Sequence, residues 1–224
     1  MRYKNIVKGQ FISRPNRFIA YVKIDGSEEI CHVKNTGRCK ELLVPGATVY
    51  LEKSDNPKRK TQFDLVAVKK GDRLINMDSQ APNMVAEKFI RQMIPNLSAL
   101  KAEHKFNDSR FDFYGETDTE KWLIEVKGVT LEDDGVVMFP DAPTERGVKH
   151  VHELCAAVKM GYRCMILFIV QMEKVKYFTP NYNTHPEFGE ALKEAEKEGV
   201  IIKAVDCKVT PDSMETNCPV KIRL

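Results

Sequence analysis

Apolar and polar residues alternate at every second position through most of the first 80 residues, and this predicts strands. Residues 5–12 make a first strand. Residues 17–24 and 28–33 make two more, joined by Asp25-Gly26, a dipeptide suited to a tight hairpin turn. Residues 35–43 read as a short helical turn that Thr36 can cap, stopped by Pro45-Gly46. Strands follow at 47–53, 62–69 and 73–76, with a polar loop over 54–61 and a Gly71-Asp72 turn. Three strands, a small helix and two strands is the order of an OB-fold barrel, which binds nucleic acids or oligosaccharides. Another small barrel shares these strand signals, and the helix after the third strand favours the OB reading.

From Asp78 onward the periodicity changes. Residues 83–93 predict a helix with Met84, Val85, Phe89 and Met93 inward and Pro95 beyond its end. Strands are expected at 101–106, 110–114 and 121–129. A helix over 144–160 carries Val148, Val151, Leu154, Cys155 and Val158 as its apolar stripe and stops at Gly161. Residues 163–170 read as a buried strand. Residues 187–197 read as a helix with Phe188, Leu192 and Ala195 inward, closed by Gly199, and 200–209 as a last strand. The strand–helix–strand run from 121 to 170 predicts a parallel α/β crossover.

Composition narrows the function classes. The chain has 224 residues, 42% hydrophobic and 30% charged, with a net charge of +3. That is a globular composition with room for two domains. The apolar run ending at Val170 falls far short of the roughly 20 residues that span a bilayer. Met1-Arg2-Tyr3-Lys4 has no signal-peptide character, so a cytoplasmic protein is expected. The six cysteines form no Cys-x-x-Cys pair and are expected as buried free thiols in a reducing compartment. Charge is uneven. Residues 1–80 hold 16 Lys and Arg against 9 Asp and Glu, and the remainder holds 19 against 23. A basic first part beside an acidic second suits a polyanion held by one and chemistry done by the other, although scattered surface charge is common.

The strongest chemical constellation is Asp112, Glu125 and Lys127. If the turn at 115–120 folds its flanking strands antiparallel, position 112 falls opposite 124 or 125. Glu125 and Lys127 then share one face, while Ile124 and Val126 face a core. Two carboxylates are hard ligands for Mg²⁺ or Mn²⁺, and a lysine beside them can orient water or offset charge. The plain alternative is a salt-bridged strand pair, since Glu-x-Lys triplets are ordinary on solvated strands. A second cluster opens the 144–160 helix. Thr144 caps it, and Arg146, His150 and Glu153 lie on one polar face, with Arg146 and His150 placed to touch phosphate. A capped, salt-bridged surface helix is the alternative. In the first part, Arg14, Arg17, Lys34, Arg38, Lys58, Arg59 and Lys60 interleave with Phe11, Phe18, Tyr21 and Phe63, as in a nucleic-acid groove. Phe18 and Phe63 are expected in the barrel core.

The runs His32-Val33-Lys34-Asn35-Thr36-Gly37-Arg38, Asn56-Pro57-Lys58-Arg59-Lys60-Thr61, Arg110-Phe111-Asp112-Phe113, Ile124-Glu125-Val126-Lys127 and Phe139-Pro140-Asp141-Ala142, with Thr144, Arg146-Gly147, His150 and Glu153-Leu154, resemble the sugar fermentation stimulation protein A family of bacteria and archaea. The resemblance covers essentially the whole chain. It implies an α+β two-domain protein: an OB-fold-like barrel over 1–80 and, over 81–224, an α/β domain with a mixed sheet similar to PD-(D/E)xK nucleases. It implies DNA binding and a link to the regulation of sugar (maltose) metabolism. The metal-binding acid of that nuclease pattern maps to Asp112, and its acid-x-lysine element to Glu125 and Lys127. That superfamily often adds a glutamate on the first core helix, and here Glu87 is followed by Lys88, with the inward position left open.

The expected function is therefore DNA binding with a nuclease site dependent on Mg²⁺ or Mn²⁺. Asp112, Glu125 and Lys127 are the catalytic set, and Asp112 and Glu125 hold the metal. Arg14, Arg17, Lys34, Asn35, Thr36, Arg38, Lys58, Arg59, Lys60, Arg146 and His150 contact phosphate or DNA, with Asp141, Thr144 and Glu153 in support. The alternative is a non-catalytic DNA-binding regulator that retains a nuclease fold. Oligosaccharide binding by the barrel is a third reading, on fold analogy alone.

Overall fold

The computed structural model describes residues 1–35 and 37–224. The first six strands are β1 (Ile6–Ser13), β2 (Ile19–Ile24), β3 (Ser27–Val33), β4 (Thr48–Lys53), β5 (Phe63–Lys70) and β6 (Arg73–Asn76). They form one sheet in the order β3-β2-β1-β4-β5-β6, and β3 also pairs in parallel with β5. That pairing closes β1 to β5 into a five-stranded barrel and removes its open edges. Asp25 and Gly26 both take positive φ, so the expected hairpin turn forms and seats Ile24 opposite Ser27. Alternate side chains, among them Phe11, Val22, Cys31, Val49 and Leu65, fill the barrel.

The helix expected over 35–43 does not form among the described residues of that stretch. Cys39 adopts a positive φ, and the carbonyls of Asn35, Gly37 and Arg38 accept hydrogen bonds from the Arg14 guanidinium instead of starting a helical ladder. One turn remains, closed by Leu43 N–H on the Cys39 carbonyl. Its buried Cys39, Leu42 and Leu43 join the barrel core. The OB assignment thus stands on the β3–β5 closure. The expected cap at Thr36 lies outside the described residues.

The rest of the chain builds a second, mixed sheet with three helices. Its elements are α1 (Ala81–Met93), β7 (Ala99–Phe106), β8 (Ser109–Glu116), β9 (Lys121–Val129), β10 (Leu131–Asp133), β11 (Val136–Phe139), α2 (Glu145–Lys159), β12 (Arg163–Val170), β13 (Tyr177–Pro180), α3 (Pro186–Glu198), β14 (Ile201–Thr210) and β15 (Ser213–Pro219). The sheet order is β15-β14-β12-β9-β8-β7. β12 runs parallel to both β9 and β14, as the crossover pattern predicts. Val85, Ala86 and Ile90 of α1 pack with Trp122, Ile124 and Val126. Val151 and Leu154 of α2 and Phe188 of α3 belong to the core that includes Leu123, Ile166 and Phe168. Burying both faces explains the unbroken apolar run of β12. Thr144 caps α2, its hydroxyl accepting from Gly147 N–H at 3.1 Å.

Two details depart from the apolar pattern. Met84 is exposed, because the buried stripe of α1 runs through Ala81, Val85, Ala86 and Ile90. β10, β11 and β13 form a small extra sheet, and polar β15 pairs at the edge beside β14. Five cysteines are buried free thiols, while Cys218 is exposed. Burial pushes the Cys39 and Cys164 thiols up to about 12.

Polar ties run from the barrel to the β6–α1 linker, to the small extra sheet and to the loop before α2. Lys34 Nζ lies 2.6 Å from Asp78, which also accepts from Tyr3. Lys70 and Arg73 both pair with buried Glu132. Arg38 N–H donates to Asp141 at 3.1 Å.

Candidate functional site

The β8–β9 ladder runs from Glu116↔Lys121 to Phe113↔Ile124, and its continuation would place position 112 opposite 125. There the Asp112 side chain replaces the backbone pairing. Its Oδ2 accepts Val126 N–H at 2.8 Å, and its Oδ1 accepts the Asn83 amide at 2.8 Å. Glu125 stands on the β9 face opposite Ile124 and Val126, and it is only 4% exposed. Its Oε1 accepts from Lys127 Nζ at 2.5 Å and from His150 Nδ1 at 2.7 Å. Arg146 Nε donates to His150 Nε2 at 3.4 Å, which places the ring N–H on Nδ1, facing Glu125. Glu125 Oε2 is buried and has no hydrogen-bond partner among the described residues.

Opposite pKa directions follow from these surroundings. Burial and then the Glu125 charge push Asp112 up, against the opposing Val126 and Asn83 hydrogen bonds. Burial alone would raise Glu125 too, but the His150 hydrogen bond and the Lys127 charge outweigh it and hold it low. The pair is thus one firmly ionised carboxylate beside one that binds its proton more readily. A hard divalent ion needs only one or two protein carboxylates. The orphaned Oε2 and the crowded Asp112 charge fit such an ion. Among the described residues no group of three or more His, Cys, Asp and Glu forms a metal cage, so further ligands would be water or substrate oxygen.

The helix-borne residue beside Asp112 is Asn83. Glu87 points outward and pairs with Arg91 one turn on. The polar face expected on α2 is divided. Arg146 is exposed, while buried His150 faces Glu125, so neither ring nitrogen of His150 is left open for phosphate. Glu153 pairs loosely with Lys149 at 3.6 Å. A cleft of about 430 Å³ beside His150 is lined by Lys105, Arg110, Arg146 and Lys149, with Asp108 the one acidic side chain among them. Lys105 and Arg110 flank the β7–β8 turn; Arg110 opens the Arg110-Phe111-Asp112-Phe113 run, but neither residue is among the phosphate contacts expected from the sequence.

The basic residues of the barrel separate into two groups. Arg14 holds four backbone carbonyls, those of Arg17, Asn35, Gly37 and Arg38. Arg59 makes a two-pronged pair with Asp64 at 2.6 and 2.9 Å, and Lys34 is tied to Asp78. The Asn35 side chain accepts Gly37 N–H. These groups organise loops. Arg17, Arg38, Lys58 and Lys60 are exposed. Thr36 lies outside the described residues. Phe63 is buried as expected, but Phe18 is 51% exposed under the Arg17 guanidinium. It sits one residue before β2 begins, outside the alternation that fills the barrel.

A closed OB barrel tied to a mixed α/β sheet, with an acid–lysine cluster beside its central strands, defines the class of protein. Residues 12–77 match the SfsA N-terminal OB domain, and residues 80–213 match the sugar fermentation stimulation protein RE domain. The chain belongs to the sugar fermentation stimulation protein family. It is 59% identical to a homologue from Clostridium beijerinckii, over 96% of each chain. It is 57% identical to one from Desulfitobacterium hafniense, covering 100% of this chain and 99% of that one. The solved structure of Pyrococcus furiosus SfsA in complex with Ca²⁺ is 26% identical, with a TM-score of 0.89 over 100% of this chain and 98% of that one. Among the described residues no helix is long and apolar enough to cross a membrane.

Proposed function

We propose that the protein binds DNA and hydrolyses phosphodiester bonds with Mg²⁺ or Mn²⁺ held by Asp112 and Glu125. The observation that carries this reading is the Asp112–Glu125 pair itself. It has one charge-crowded carboxylate, one buried oxygen without a partner, and Lys127 alongside. The Ca²⁺ complex of the Pyrococcus furiosus relative supports a divalent ion in this family.

Each neighbouring group has a distinct task. Asn83 and Val126 N–H fix the Asp112 carboxylate in place. His150 holds Glu125 Oε1 and is itself held by Arg146, so Oε2 remains the available ligand atom. A bound divalent ion would polarise a phosphoryl oxygen and make its water more acidic. Lys127, paired with Glu125 Oε1, would orient the attacking water and offset charge on the phosphoryl group. Arg146, Lys105 and Lys149 supply the positive field for an adjacent phosphate. Arg17, Arg38, Lys58 and Lys60 of the barrel hold the polyanion.

A second reading is a DNA-binding regulator that retains this fold without cleavage. It is favoured by the pairing of Lys127 with Glu125, which occupies the lysine in a buried ion pair. Incubating supercoiled, linear, single-stranded and branched DNA with Mg²⁺ or Mn²⁺ decides between them. The nuclease reading expects cleavage that Asp112→Asn and Lys127→Ala each abolish, with DNA binding kept. Binding without cleavage of any form gives the second reading.

A further inference from the structure

A cleft of about 730 Å³ opens at one end of the barrel, between the β1–β2 loop and the segment joining β3 to β4. Its floor is apolar, with Phe11, Leu43 and Val44, and Arg17, Arg38 and Lys40 stand around it. The three cations have no anionic partner among the described residues, and Val44 is 47% exposed. Arg14 pins the loop carbonyls behind the cleft, so its wall is set before any ligand arrives. Ala142 also lines it, in the loop that leads into α2 and His150. Asp141 in that loop accepts the Arg38 amide.

An apolar floor under a cationic rim has a specific chemical meaning. Duplex DNA presents phosphates and base edges, while its base faces are stacked out of reach. The cations suit phosphates of either form, but the apolar floor is useful only to a base face that has left its stack. The volume falls in the range of small-molecule sites, roughly 300–1,000 Å³. Phe18, half exposed beside Arg17, adds an aromatic face at the edge. We infer that this cleft receives an unstacked nucleotide, so that the preferred nucleic acid is single-stranded or has a single-stranded end. This rests on the nucleic-acid reading above and adds strandedness to it. The strand then passes from the barrel along the loop at Asp141 and Ala142 toward α2 and the carboxylate pair.

The test uses the full chain, with a chelator present so that no cleavage occurs. Fluorescence anisotropy at fixed salt measures affinity for labelled single-stranded and duplex oligonucleotides of equal length. The expected result is single-strand affinity at least about tenfold above duplex affinity, the effect of one well-stacked base. Val44→Glu should collapse that ratio toward one while leaving duplex affinity within about threefold. Ile30→Glu makes the same charge change at an exposed strand position outside the cleft, and the ratio should persist. Both sites are solvent-facing, and melting curves verify that each variant folds. Equal wild-type affinity for the two forms overturns the inference while leaving DNA binding intact. So does a Val44→Glu ratio that stays at the wild-type value, or an Ile30→Glu variant that loses the ratio as Val44→Glu does. Failure of the wild type to bind either form overturns the nucleic-acid reading and this inference together.

Discussion

Burial and then the neighbouring Glu125 charge push Asp112 up, so holding this pair together without a metal ion is unfavourable. A divalent ion relieves it and binds the folded site alone, so Mg²⁺ or Mn²⁺ should stabilise the intact protein. At a free ion concentration about 100-fold above the dissociation constant, this linkage contributes ~2.7 kcal/mol. For a chain of this size each kcal/mol moves the melting temperature by ~2–4 °C, so the expected shift is roughly 5–11 °C. Trp122, the single tryptophan, is buried on β9 three positions before Glu125 and reports unfolding by its fluorescence. The shift should depend on pH with a definite sign. The folded pKa of Asp112 lies above its unfolded value, and a proton competes with the ion for that carboxylate. Metal stabilisation is therefore largest above the raised pKa and fades as pH falls through it. Asp112→Asn and Glu125→Gln should each remove most of the shift, and Glu87→Gln, on the outward face of α1, should keep it. Without metal, Asp112→Asn loses one of two accepted hydrogen bonds, a cost of ~1–3 kcal/mol that opposes the relief of repulsion. The metal-induced difference is for that reason the decisive quantity. A full shift retained in both carboxylate variants, or lost in Glu87→Gln, refutes the assignment.

Other consequences are open to direct measurement. His150→Leu removes a donor from buried Glu125 and should lower stability by ~1–3 kcal/mol in urea titrations at neutral pH. The Arg59 and His32 hydrogen bonds outweigh burial and hold Asp64 below the usual carboxylate range. The stability this adds is present above the unfolded pKa and lost as pH falls through the folded one, and Arg59→Ala should flatten that acid limb. Lys58→Ala and Lys60→Ala should leave melting unchanged while each lowers the slope of log affinity against log salt by roughly 1. A stability loss in the lysine variants comparable to that of Arg59→Ala would show that these exposed residues support the loop.

Local periodicity carried much of the fold. The strands of the barrel, the Asp25-Gly26 hairpin, the three helices with their Thr144 cap and Gly161 and Gly199 stops, and the parallel β9–α2–β12 crossover all follow from short-range patterns. The geometry of the candidate site was legible for the same reason. A period of two puts Glu125 and Lys127 on one face, and a short turn brings Asp112 back beside them. The Asp134-Gly135 turn between β10 and β11 carries the same signal as Asp25-Gly26, but its three-residue strand is too short to show alternation. Polar β15 has no apolar face to mark it as a strand, and its backbone pairing with β14 supplies its structure. The segment over 35–43 has helical local signals, but Arg14, more than 20 positions away, claims its carbonyls. Partners for charged side chains are likewise a matter of tertiary structure. Asn83 reaches Asp112 across 29 positions and His150 reaches Glu125 across 25, so no window of sequence displays either contact. The same holds for Arg59 and Lys34, whose charges are claimed by Asp64 and Asp78, and for Phe18, which the barrel leaves outside. Residue type and spacing settle which face a side chain takes within its own element. Which groups it meets there depends on how distant elements pack, because burial makes an unpaired charge costly and selects the partners that remain.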